Sequence, residues 1–400
     1  MKVVDQQKIE ELLTRGVERV YPSKEFLLER LTKGERLTVY FGVDPTGPTL
    51  HVGHLVSLLK LRAFQRLGHR VVLLVGDFTA TIGDPTDKTA TRVSLSRQQV
   101  LENASLYKEQ ASHIIDFDGE NGASLKYNSE WLAKLSFEET LSLASKMTFA
   151  QTIKRDMFQK RIAEGKDLYL HEFLYPLMQG YDSVVMDVDG EVGGNDQTFN
   201  MLVGRDLMKK MKGREKFVIT MKLLLDSDGL KMGKTEGNMA SFSDLPEEMF
   251  GKVMSWNDSL IISGLELCTD VSEETIREWR DKIAGGINPR DAKMFLARKI
   301  VELSYDKEKA LRAEEEFVKV FQKKNLPDEI KTAKSGHNRE IASILLENKL
   351  VKSNSDFRRL LKEGAISFNG HVVSDPQAGI EDGGIVRVGK KRFLRIVVPG

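Results

Sequence analysis

The feature that most constrains the fold is an alternation of short apolar runs with longer helical patterns over the first 230 residues. Residues 71–75 are apolar at every position, as expected for a strand that is covered on both faces. In residues 52–67, Leu55, Leu58 and Leu59 recur at the spacing of helical turns. Strands that alternate with helices in this way predict an α/β fold with a doubly wound parallel sheet.

The same patterns place the individual elements. Predicted strands cover residues 37–43, 71–75, 183–188 and 217–220, and predicted helices cover residues 52–67, 94–113 and 196–210. Beyond residue 244 the chain is strand-free and charged, with helices predicted at 270–283, 289–304 and 307–323. The last 60 residues return to a mixed pattern, with helices at 341–349 and 356–362 and strands at 366–368, 385–388 and 393–398.

Composition excludes several classes of protein. The formal net charge is only +1, so any nucleic-acid partner must be held by a local patch. The single cysteine, Cys268, rules out an internal disulfide or a thiolate zinc site, which suits a reducing cytoplasm. Residues 1–11 lack the apolar core of a signal peptide, and no apolar run of about 18 residues could span a membrane. We therefore expect a cytoplasmic protein with no membrane partner and no resident metal.

A first motif follows the strand at residues 37–43. His51 and His54 lie three residues apart at a predicted helix start, so they share one helical face, and Gly53 lies between them. Unpaired N–H groups and a partial positive charge make such a helix start attractive to phosphate. Taken alone, the motif also fits two surface histidines.

A second motif carries Lys231 and Lys234 on a glycine-flanked loop. Two lysines on such a loop could close over a triphosphate and stabilise charge on a leaving pyrophosphate. Taken alone, it also fits an ordinary solvated loop. The order of the two motifs, with α/β sequence between them, is far more specific than either one.

Together the motifs resemble those of the class I aminoacyl-tRNA synthetases. His51-Val52-Gly53-His54 is similar to their HIGH signature, and residues 231–235 are similar to their KMSKS loop, with Gly233 and Thr235 in place of the two serines. Within that class, the chain resembles the tyrosyl-tRNA synthetase family over nearly its full length. The matching segments are residues 40–46, 83–86, 174–182 and 192–197. Asp87 departs from the glycine that is usual in the family.

The resemblance implies how the chain is organised and what it binds. It implies a Rossmann-like catalytic domain at residues 1–243, an α-helical anticodon-binding domain at 244–325, a linker at 326–338 and a small α+β RNA-binding domain at 339–400. The expected substrates are tyrosine, tRNA(Tyr) and ATP with Mg²⁺, without a tightly bound cofactor. A homodimer is expected as well.

For tyrosine, the resemblance assigns a donor and an acceptor for the phenol hydroxyl to Tyr40 and Asp182. It assigns acceptors for the α-ammonium to Asp84, Tyr175 and Gln179. Tyr175, Gln179 and Asp182 occur at i, i+4 and i+7, so one helix face presents all three. The resemblance also places Gln197 near the carboxylate that is activated and Asn128 near the substrate.

For ATP, the resemblance assigns the main contacts to His51 and His54 and a γ-phosphate contact to Thr46. Asp44 and Asp196 are expected near the ribose or the amino-acid end. The implied ATP-binding set is Asp44, Thr46, His51, Gly53, His54, Asp196, Lys231 and Lys234. The implied catalytic set is Thr46, His51, His54, Lys231, Lys234 and Thr235.

The C-terminal segment at residues 353–370 resembles a small RNA-binding domain that is shared with a ribosomal small-subunit protein. Its helix carries Arg358, Arg359 and Lys362, and from residue 341 onward there are ten Lys or Arg and six Asp or Glu. Contact with RNA phosphates is the expected use of these charges.

Two rival functions remain open at this point. A tryptophanyl-tRNA synthetase is the nearest, and the pairing of Tyr40 with Asp182 argues against it. A non-catalytic RNA-binding relative of the synthetases is the other. That alternative predicts that residues of the two ATP-binding motifs have been lost, yet both histidines and both lysines are present.

Overall fold

The structure is a computed structural model that describes residues 5–86, 95–225, 239–319, 330–334, 339–369, 371–373, 375–376, 378–380, 383–389 and 392–398. Contacts within the chain divide it into two compact units, Met1–Ala313 and Glu314–Gly400. They are called the first and second units below, and each is described by itself.

A six-stranded sheet forms the centre of the first unit. Its strands are β1 (Val17–Tyr21), β2 (Thr38–Val43), β3 (Arg70–Val75), β4 (Ser124–Tyr127), β5 (Gly190–Gly194) and β6 (Phe217–Met221). They lie in the order β1-β6-β5-β2-β3-β4. β1 is antiparallel to β6, and every other neighbouring pair is parallel. The predicted doubly wound parallel sheet is therefore confirmed.

Helices cover the sheet and extend beyond it. They are α1 (Gln6–Thr14), α2 (Lys24–Thr32), α3 (Val52–Arg66), α4 (Thr79–Ile82), α5 (Arg97–Ala104), α6 (Tyr107–Ser112), α7 (Ser129–Leu132), α8 (Phe137–Ala144), α9 (Phe149–Ile153), α10 (Asp156–Ala163), α11 (Leu170–Met186), α12 (Thr198–Lys212), α13 (Pro246–Met254), α14 (Leu260–Cys268), α15 (Glu273–Ala284), α16 (Pro289–Ser304) and α17 (Lys307–Phe317).

The core of the first unit depends on close approach between elements. All five residues of β6 are buried, as are five of the six in β3. A Cβ atom on Gly190 would lie 2.0 Å from the Phe217 ring, so the contact between β5 and β6 requires glycine there. Helices α11 and α12 meet closely at Gly180 and Gly204.

One predicted strand is wrong. Residues 183–188 were expected as a strand, but they lie mostly in the last turn of α11, which ends at Asp187 in a left-handed conformation with φ of 50°. A short apolar run does not distinguish a strand from a buried helix segment. The strand is instead Gly190–Gly194. The strands β1 and β4 were not predicted, and the helix expected at 94–113 is divided into α5 and α6.

The predicted helical segment after residue 244 is present as α13 to α17. α13 to α16 lie in the same compact unit as the sheet. The predicted linker at 326–338 contains a strand, β7 (Thr332–Lys334), which pairs in parallel with a strand near the C-terminus. A segment expected only to connect domains thus contributes part of the second unit's sheet.

The second unit has an α+β arrangement. It contains β8 (Arg339–Glu340), α18 (Ile341–Glu347), α19 (Asn354–Lys362), β9 (Ile366–Phe368), β10 (His371–Val372), β11 (Gly379–Ile380), β12 (Gly384–Val388) and β13 (Arg392–Val397). Five strands form a sheet in the order β10-β9-β12-β13-β7, and β11 pairs with β8. Apolar side chains of both helices and of β9, β12 and β13 form one buried core.

Within the described part of the chain, no helix is both long and apolar enough to cross a membrane.

Candidate functional site

The candidate site is a cavity at the carboxyl ends of the parallel strands. From β2 the chain continues through β3 to β4 on one side, and it then returns to β5 on the other side of β2. The strand order therefore reverses between β2 and β5, the position where open α/β sheets bind ligands. A cavity of about 290 Å³ lies there.

Every predicted substrate or ATP residue within the described ranges of the first unit lines this cavity. These residues are Tyr40, Asp44, Thr46, His51, Gly53, His54, Asp84, Asn128, Tyr175, Gln179, Asp182, Asp196 and Gln197. Lys231, Lys234 and Thr235 lie outside the described residues, as does Asp87. Arg358, Arg359 and Lys362 are exposed on α19 of the second unit.

The start of α3 presents two imidazoles to the cavity. His51 is the residue before the helix, and its Nδ1 accepts a hydrogen bond of 3.1 Å from the N–H of Gly53. Nδ1 of His54 accepts a bond of 3.1 Å from the N–H of His51. Because each neutral ring accepts at Nδ1, each carries its proton on Nε2 as a donor. A Cβ atom on Gly53 would lie 2.9 Å from the His51 ring, so glycine fits this turn.

Side chains from α5 and α6 hold the loop that precedes α3. Tyr107 donates to the carbonyl of Gly47 at 2.8 Å, and Asn103 donates to the carbonyl of Pro45 at 3.0 Å. The side-chain oxygen of Gln110 accepts from the N–H of Leu50 at 2.6 Å. Sequence analysis missed these anchors because nothing in a helical pattern shows which distant loop it touches.

Helix α11 forms one wall of the cavity, and its face carries the predicted stripe of Tyr175, Gln179 and Asp182. Asp182 is buried, and its two carboxylate oxygens accept from Trp131 Nε1 at 2.8 Å and from Asn128 Nδ2 at 3.3 Å. Burial raises the pKa of the Asp182 carboxyl well above its usual value, although these two donors act in the opposite direction. Trp131 is a hydrogen-bond partner of this cavity-lining carboxylate that the sequence reasoning did not identify.

Tyr40 lies at the floor with a fully buried side chain. Its hydroxyl bonds to Ser183 Oγ at 2.9 Å, and Lys216 Nζ donates to the same Ser183 oxygen at 2.7 Å. Lys216 also forms a buried ion pair with Glu191, which in turn accepts from Gln179 Nε2 at 3.1 Å. Sequence reasoning missed these three partners of the floor. Two of them could have been suspected from the sequence, because each is a lone charged residue within or beside an apolar strand. Glu191 lies in β5, and Lys216 directly precedes β6.

Asp44 and its partners lie directly after β2. Tyr175 donates to one Asp44 oxygen at 2.7 Å, and Thr79 donates to the other at 2.7 Å. A Cβ atom on Gly76 would lie 2.0 Å from this carboxylate, so β3 must be followed by glycine. Burial, and then the negative charges of Asp44 and Asp84, raise the pKa of the Tyr175 hydroxyl well above its usual value. Tyr175 is therefore protonated and fixed as a donor to Asp44.

Asp84 and Gln197 bridge the remaining side of the cavity. Gln197 Nε2 donates to Asp84 at 2.7 Å, and the other Asp84 oxygen accepts from the N–H of Thr86 at 2.9 Å. Asn200 Nδ2 donates to the side-chain oxygen of Gln197 at 3.1 Å. The amide of Gln197 is thus oriented from both ends, which limits its movement at the cavity wall.

Metal ligation by the protein alone finds no support in the described part of the chain, where no group of three His, Cys, Asp or Glu side chains is placed to hold an ion. Cys268 is a buried free thiol in α14, and burial raises its pKa to about 12. It is part of the apolar core.

Comparisons with known proteins agree with this geometry. The profile of the class I tRNA synthetases for tryptophan and tyrosine matches residues 32–322. A tyrosine–tRNA ligase of Thermotoga maritima is 45% identical over 378 residues, which are 94% of each chain. One of Carboxydothermus hydrogenoformans is 44% identical over 402 residues, which are 97% of each chain.

Solved structures show the same fold. A C-terminally truncated mitochondrial tyrosyl-tRNA synthetase of Aspergillus nidulans matches with a TM-score of 0.68 at 23% identity, covering 78% of this chain and 94% of its own. The Archaeoglobus fulgidus tyrosyl-tRNA synthetase, solved with L-tyrosine, matches with a TM-score of 0.60 at 22% identity, covering 77% of this chain and 99% of its own. By the family profile and by relatives of 44–45% identity over nearly its full length, the chain belongs to the class I tRNA synthetases and, among them, to the tyrosine–tRNA ligases.

Proposed function

We propose that the cavity binds tyrosine and ATP side by side and joins them as tyrosyl-adenylate, releasing pyrophosphate. The tyrosine is then transferred to the 3′ end of tRNA(Tyr). One observation carries this proposal: the histidines at the start of α3 and the α11 stripe line the same cavity at the switch point of the sheet. A helix start suits phosphate, and the stripe suits a small polar amino acid.

Tyrosine is proposed to lie with its phenol at the floor. Tyr40 and Asp182 would provide one donor and one acceptor for the hydroxyl, as the phenol requires. Gln179, Tyr175 and Asp84 surround the position proposed for the α-ammonium, with Gln197 beside the carboxylate. Asn128 acts on the phenol end through its bond to Asp182. Phenylalanine would leave the buried groups at the floor unpaired, which opposes its binding.

ATP is proposed to lie along the start of α3. Nε2–H of His51 and of His54 would donate to phosphate oxygens, Gly53 leaves room beside them, and Thr46 would reach the γ-phosphate. Asp44 and Asp196 lie where the ribose and the amino-acid end would meet. We also assign Lys231, Lys234 and Thr235 to the phosphates, on their resemblance to the KMSKS loop. Mg²⁺ would arrive with ATP, held mainly by phosphates and water.

The reaction needs no covalent enzyme intermediate. The tyrosine carboxylate attacks the α-phosphorus in line, and the bond to pyrophosphate breaks. A terminal ribose hydroxyl of the tRNA then attacks the activated carbonyl and releases AMP. The protein contributes positioning and donors that stabilise the charge developing on the phosphates.

ATP–pyrophosphate exchange with each of the twenty amino acids tests the proposal. Exchange with tyrosine alone is expected. Exchange with tryptophan alone would establish the rival synthetase, and no exchange with any amino acid would favour a non-catalytic RNA-binding relative. The paired hydroxyl and carboxylate at the floor favour tyrosine, since the indole of tryptophan has only a donor to offer.

A homodimer through the first unit is also proposed. Large apolar side chains between α8 and the start of α11 are exposed, including Phe137 at 78% and Leu170 at 83%. Phe149, Leu141 and Ile162 are exposed in the same stretch. Such a concentration marks an interaction surface, and a second copy of the chain is the occupant we propose. Sedimentation of Phe149→Glu combined with Leu170→Glu should then give a monomer, whereas the wild-type chain should sediment as a dimer.

For the second unit we propose binding of tRNA through Arg358, Arg359 and Lys362. Their exposure on one helix supports contact with phosphates rather than a structural role. We place the reaction in the cytoplasm, in keeping with the single buried thiol.

A further inference from the structure

The ion pair of Glu191 and Lys216 lies at the cavity floor, where Glu191 lines the cavity, and it has no role in the function proposed so far. Lys216 is 0% exposed and Glu191 is 2% exposed. Transferring two charges from water into a protein interior costs several kcal/mol each, and apolar residues of similar size often stabilise such a position as well or better. The pair is therefore not explained by stability, and its other contacts indicate what it does.

We propose that Glu191 and Lys216 are positioning residues that, through Gln179 and Ser183, fix the direction of the hydrogen bonds at both ends of the tyrosine cavity. This inference rests on the proposed function. It adds two charged residues and a serine to the determinants of specificity, and none of the three is among the side chains assigned to tyrosine by resemblance.

The phenol end depends on the protons around Ser183. Lys216 is only a donor, so Ser183 Oγ accepts in the bond of 2.7 Å between them. The other partner of Ser183 Oγ within the described residues is the Tyr40 hydroxyl at 2.9 Å. If Tyr40 donated there, the Ser183 proton would be left without an acceptor in a buried site. Ser183 therefore donates to Tyr40, and the Tyr40 proton is left for the Glu191 carboxylate, which also bonds to this hydroxyl, or for a phenol oxygen that enters the cavity.

The charges nearby keep that proton in place. Burial, followed by the negative charges of Glu191 and Asp182, raises the pKa of the Tyr40 hydroxyl well above its usual value. Tyr40 is thus protonated, and its proton can be donated to the substrate phenol oxygen in place of Glu191. Asp182 remains to accept the hydrogen bond that the substrate phenol donates. Trp131 and Asn128 hold the Asp182 carboxylate in position.

The amino end depends on the amide of Gln179. Its Nε2 donates to Glu191 Oε1 at 3.1 Å, and Glu191 cannot donate in return while it is ionised. The amide is therefore held with its nitrogen toward Glu191. Its carbonyl oxygen, which has no partner among the residues the structure describes, is the end left for the cavity. A carbonyl there accepts from an ammonium, whereas a flipped amide would repel it.

A second buried ion pair in the same unit shows that this arrangement is not general. Arg161 and Glu172 are also almost fully buried, at 1% and 4% exposure. Arg161 also donates to the carbonyl of Asp167, and Glu172 also accepts from the N–H of Tyr169, both of which are backbone groups. Neither residue lines the cavity. The Arg161–Glu172 pair thus supplies a matched control with the same charges and burial but no tyrosine contact.

The first experiment removes only the serine hydroxyl. In ATP–pyrophosphate exchange, Ser183→Ala should raise the KM for tyrosine about tenfold, which corresponds to about 1.4 kcal/mol, and should leave the KM for ATP within about twofold. Exchange with phenylalanine should be nearly unchanged, so the ratio of kcat/KM for tyrosine over phenylalanine should fall about tenfold. Ser304→Ala removes a buried hydroxyl that donates to the backbone carbonyl of Ile300 in its own helix, and it should leave all three quantities unchanged.

The second experiment removes both charges, because removing one would leave the other buried and unpaired. Glu191→Gln with Lys216→Met should lower the ratio of kcat/KM for tyrosine over phenylalanine at least as far as Ser183→Ala does. Glu172→Gln with Arg161→Met should change the melting temperature but leave that ratio intact. A purely structural role for Glu191 and Lys216 predicts equal loss with both amino acids in both double variants.

The outcomes separate this inference from the proposed function. If the wild-type chain shows no exchange with tyrosine, the proposed function fails first. The inference is overturned, while the function stands, if the wild-type chain shows exchange and both variants keep its ratio of kcat/KM for tyrosine over phenylalanine. The two variants are Ser183→Ala and the Glu191–Lys216 double variant.

Discussion

Two histidines at the start of α3 illustrate how single residues combine structural and chemical tasks. Nδ1 of His51 and of His54 accepts a backbone N–H, so each ring helps to close the first helical turn. The opposite ring edge carries the donor that we assign to phosphate. A side chain held by one nitrogen presents the other in a fixed direction, which favours stabilisation of a transition state over simple binding.

His51→Ala should therefore lower kcat for tyrosine activation about 10²- to 10³-fold, the typical effect of removing one preorganised donor. The KM for tyrosine should stay near the wild-type value, because we assign His51 to the phosphates and not to tyrosine. Pre-steady-state adenylate formation is the measurement. His113→Ala, which changes an exposed histidine outside the cavity, is the control. Wild-type kcat in His51→Ala would remove this residue from the catalytic set.

Lys60 is a different residue-scale case, because its ammonium is buried against backbone carbonyls. Nζ donates to the carbonyls of Leu12 at 2.6 Å and Arg15 at 2.9 Å, which joins α3 to the end of α1. Burial, and then the positive charge of Arg15, lower the pKa of Lys60 to about 7. The folded state thus binds this proton less tightly than the unfolded state does.

The sign of the pH effect follows from that difference. Between pH of about 7 and the ordinary lysine pKa of about 10.4, the unfolded chain holds the proton and the folded chain does not, so stability rises with pH. The free energy of unfolding of the wild type relative to Lys60→Met should increase by up to about 1.4 kcal/mol per pH unit across this window. Urea unfolding at pH 6, 8 and 10 measures it, and a constant difference would contradict the lowered pKa of Lys60 in the folded state.

At the scale of elements, the packing of α11 against α12 fixes the position of the α11 face that carries Tyr175, Gln179 and Asp182. A Cβ atom on Gly180 would lie 3.0 Å from the backbone nitrogen of Gly204 and 3.0 Å from Leu207. Backbone cannot move aside as a flexible side chain can. Gly180 lies between Gln179 and Asp182 on α11, so any separation of the two helices would shift these two cavity-lining residues.

Gly180→Ala should lower the free energy of unfolding by about 1–3 kcal/mol, the usual cost of overpacking. It should also raise the KM for tyrosine. Gly251→Ala is the matched control, since it lies within α13 with open space around its Cα. That change should stabilise the chain by about 0.4–1 kcal/mol through the unfolded state. Thermal and urea unfolding distinguish the two, and a stable Gly180→Ala would show that α11 and α12 can separate without cost.

The elements also show what the sequence can and cannot reveal. The buried strands β2, β3 and β6 and the helices α3 and α16 follow from periodicity, because their apolar positions repeat at strand or helix spacing. The apolar run at residues 183–188 was wrongly predicted as a strand, because six residues are too few for periodicity to distinguish a strand from the end of a helix. β1 and β4 were missed because their exposed or half-buried residues give weak patterns.

The candidate site divides in a similar way. The motif residues could be identified from the sequence, because local spacing and family resemblance are both read from short segments. The structure places these residues around one cavity. The contacts of Glu191 with Lys216 and of Tyr40 with Ser183 join residues 25 and 143 positions apart. No local pattern encodes such pairs. They depend on the order β6-β5-β2, which the alternation of strands and helices does not determine.

At the scale of the whole molecule, the two units divide the proposed tasks. The cavity residues described above all lie in the first unit, and the exposed basic side chains of α19 lie in the second. Tyrosine activation requires no RNA, so it should depend on the first unit alone. Transfer to tRNA should depend on both. Variants of α19 can therefore separate the two steps.

Arg358→Ala with Lys362→Ala should leave ATP–pyrophosphate exchange unchanged and raise the KM for tRNA in the charging assay. Each lost phosphate contact should reduce the slope of log affinity against log salt by about 0.7 to 0.9, because fewer counterions are released. Arg359→Ala should have a smaller effect, since its guanidinium already bonds Asp356 and Glu363 at 2.8 Å each. An unchanged salt slope in the double variant would mean that RNA is held by another surface, because phosphate contacts cannot be lost without releasing fewer ions.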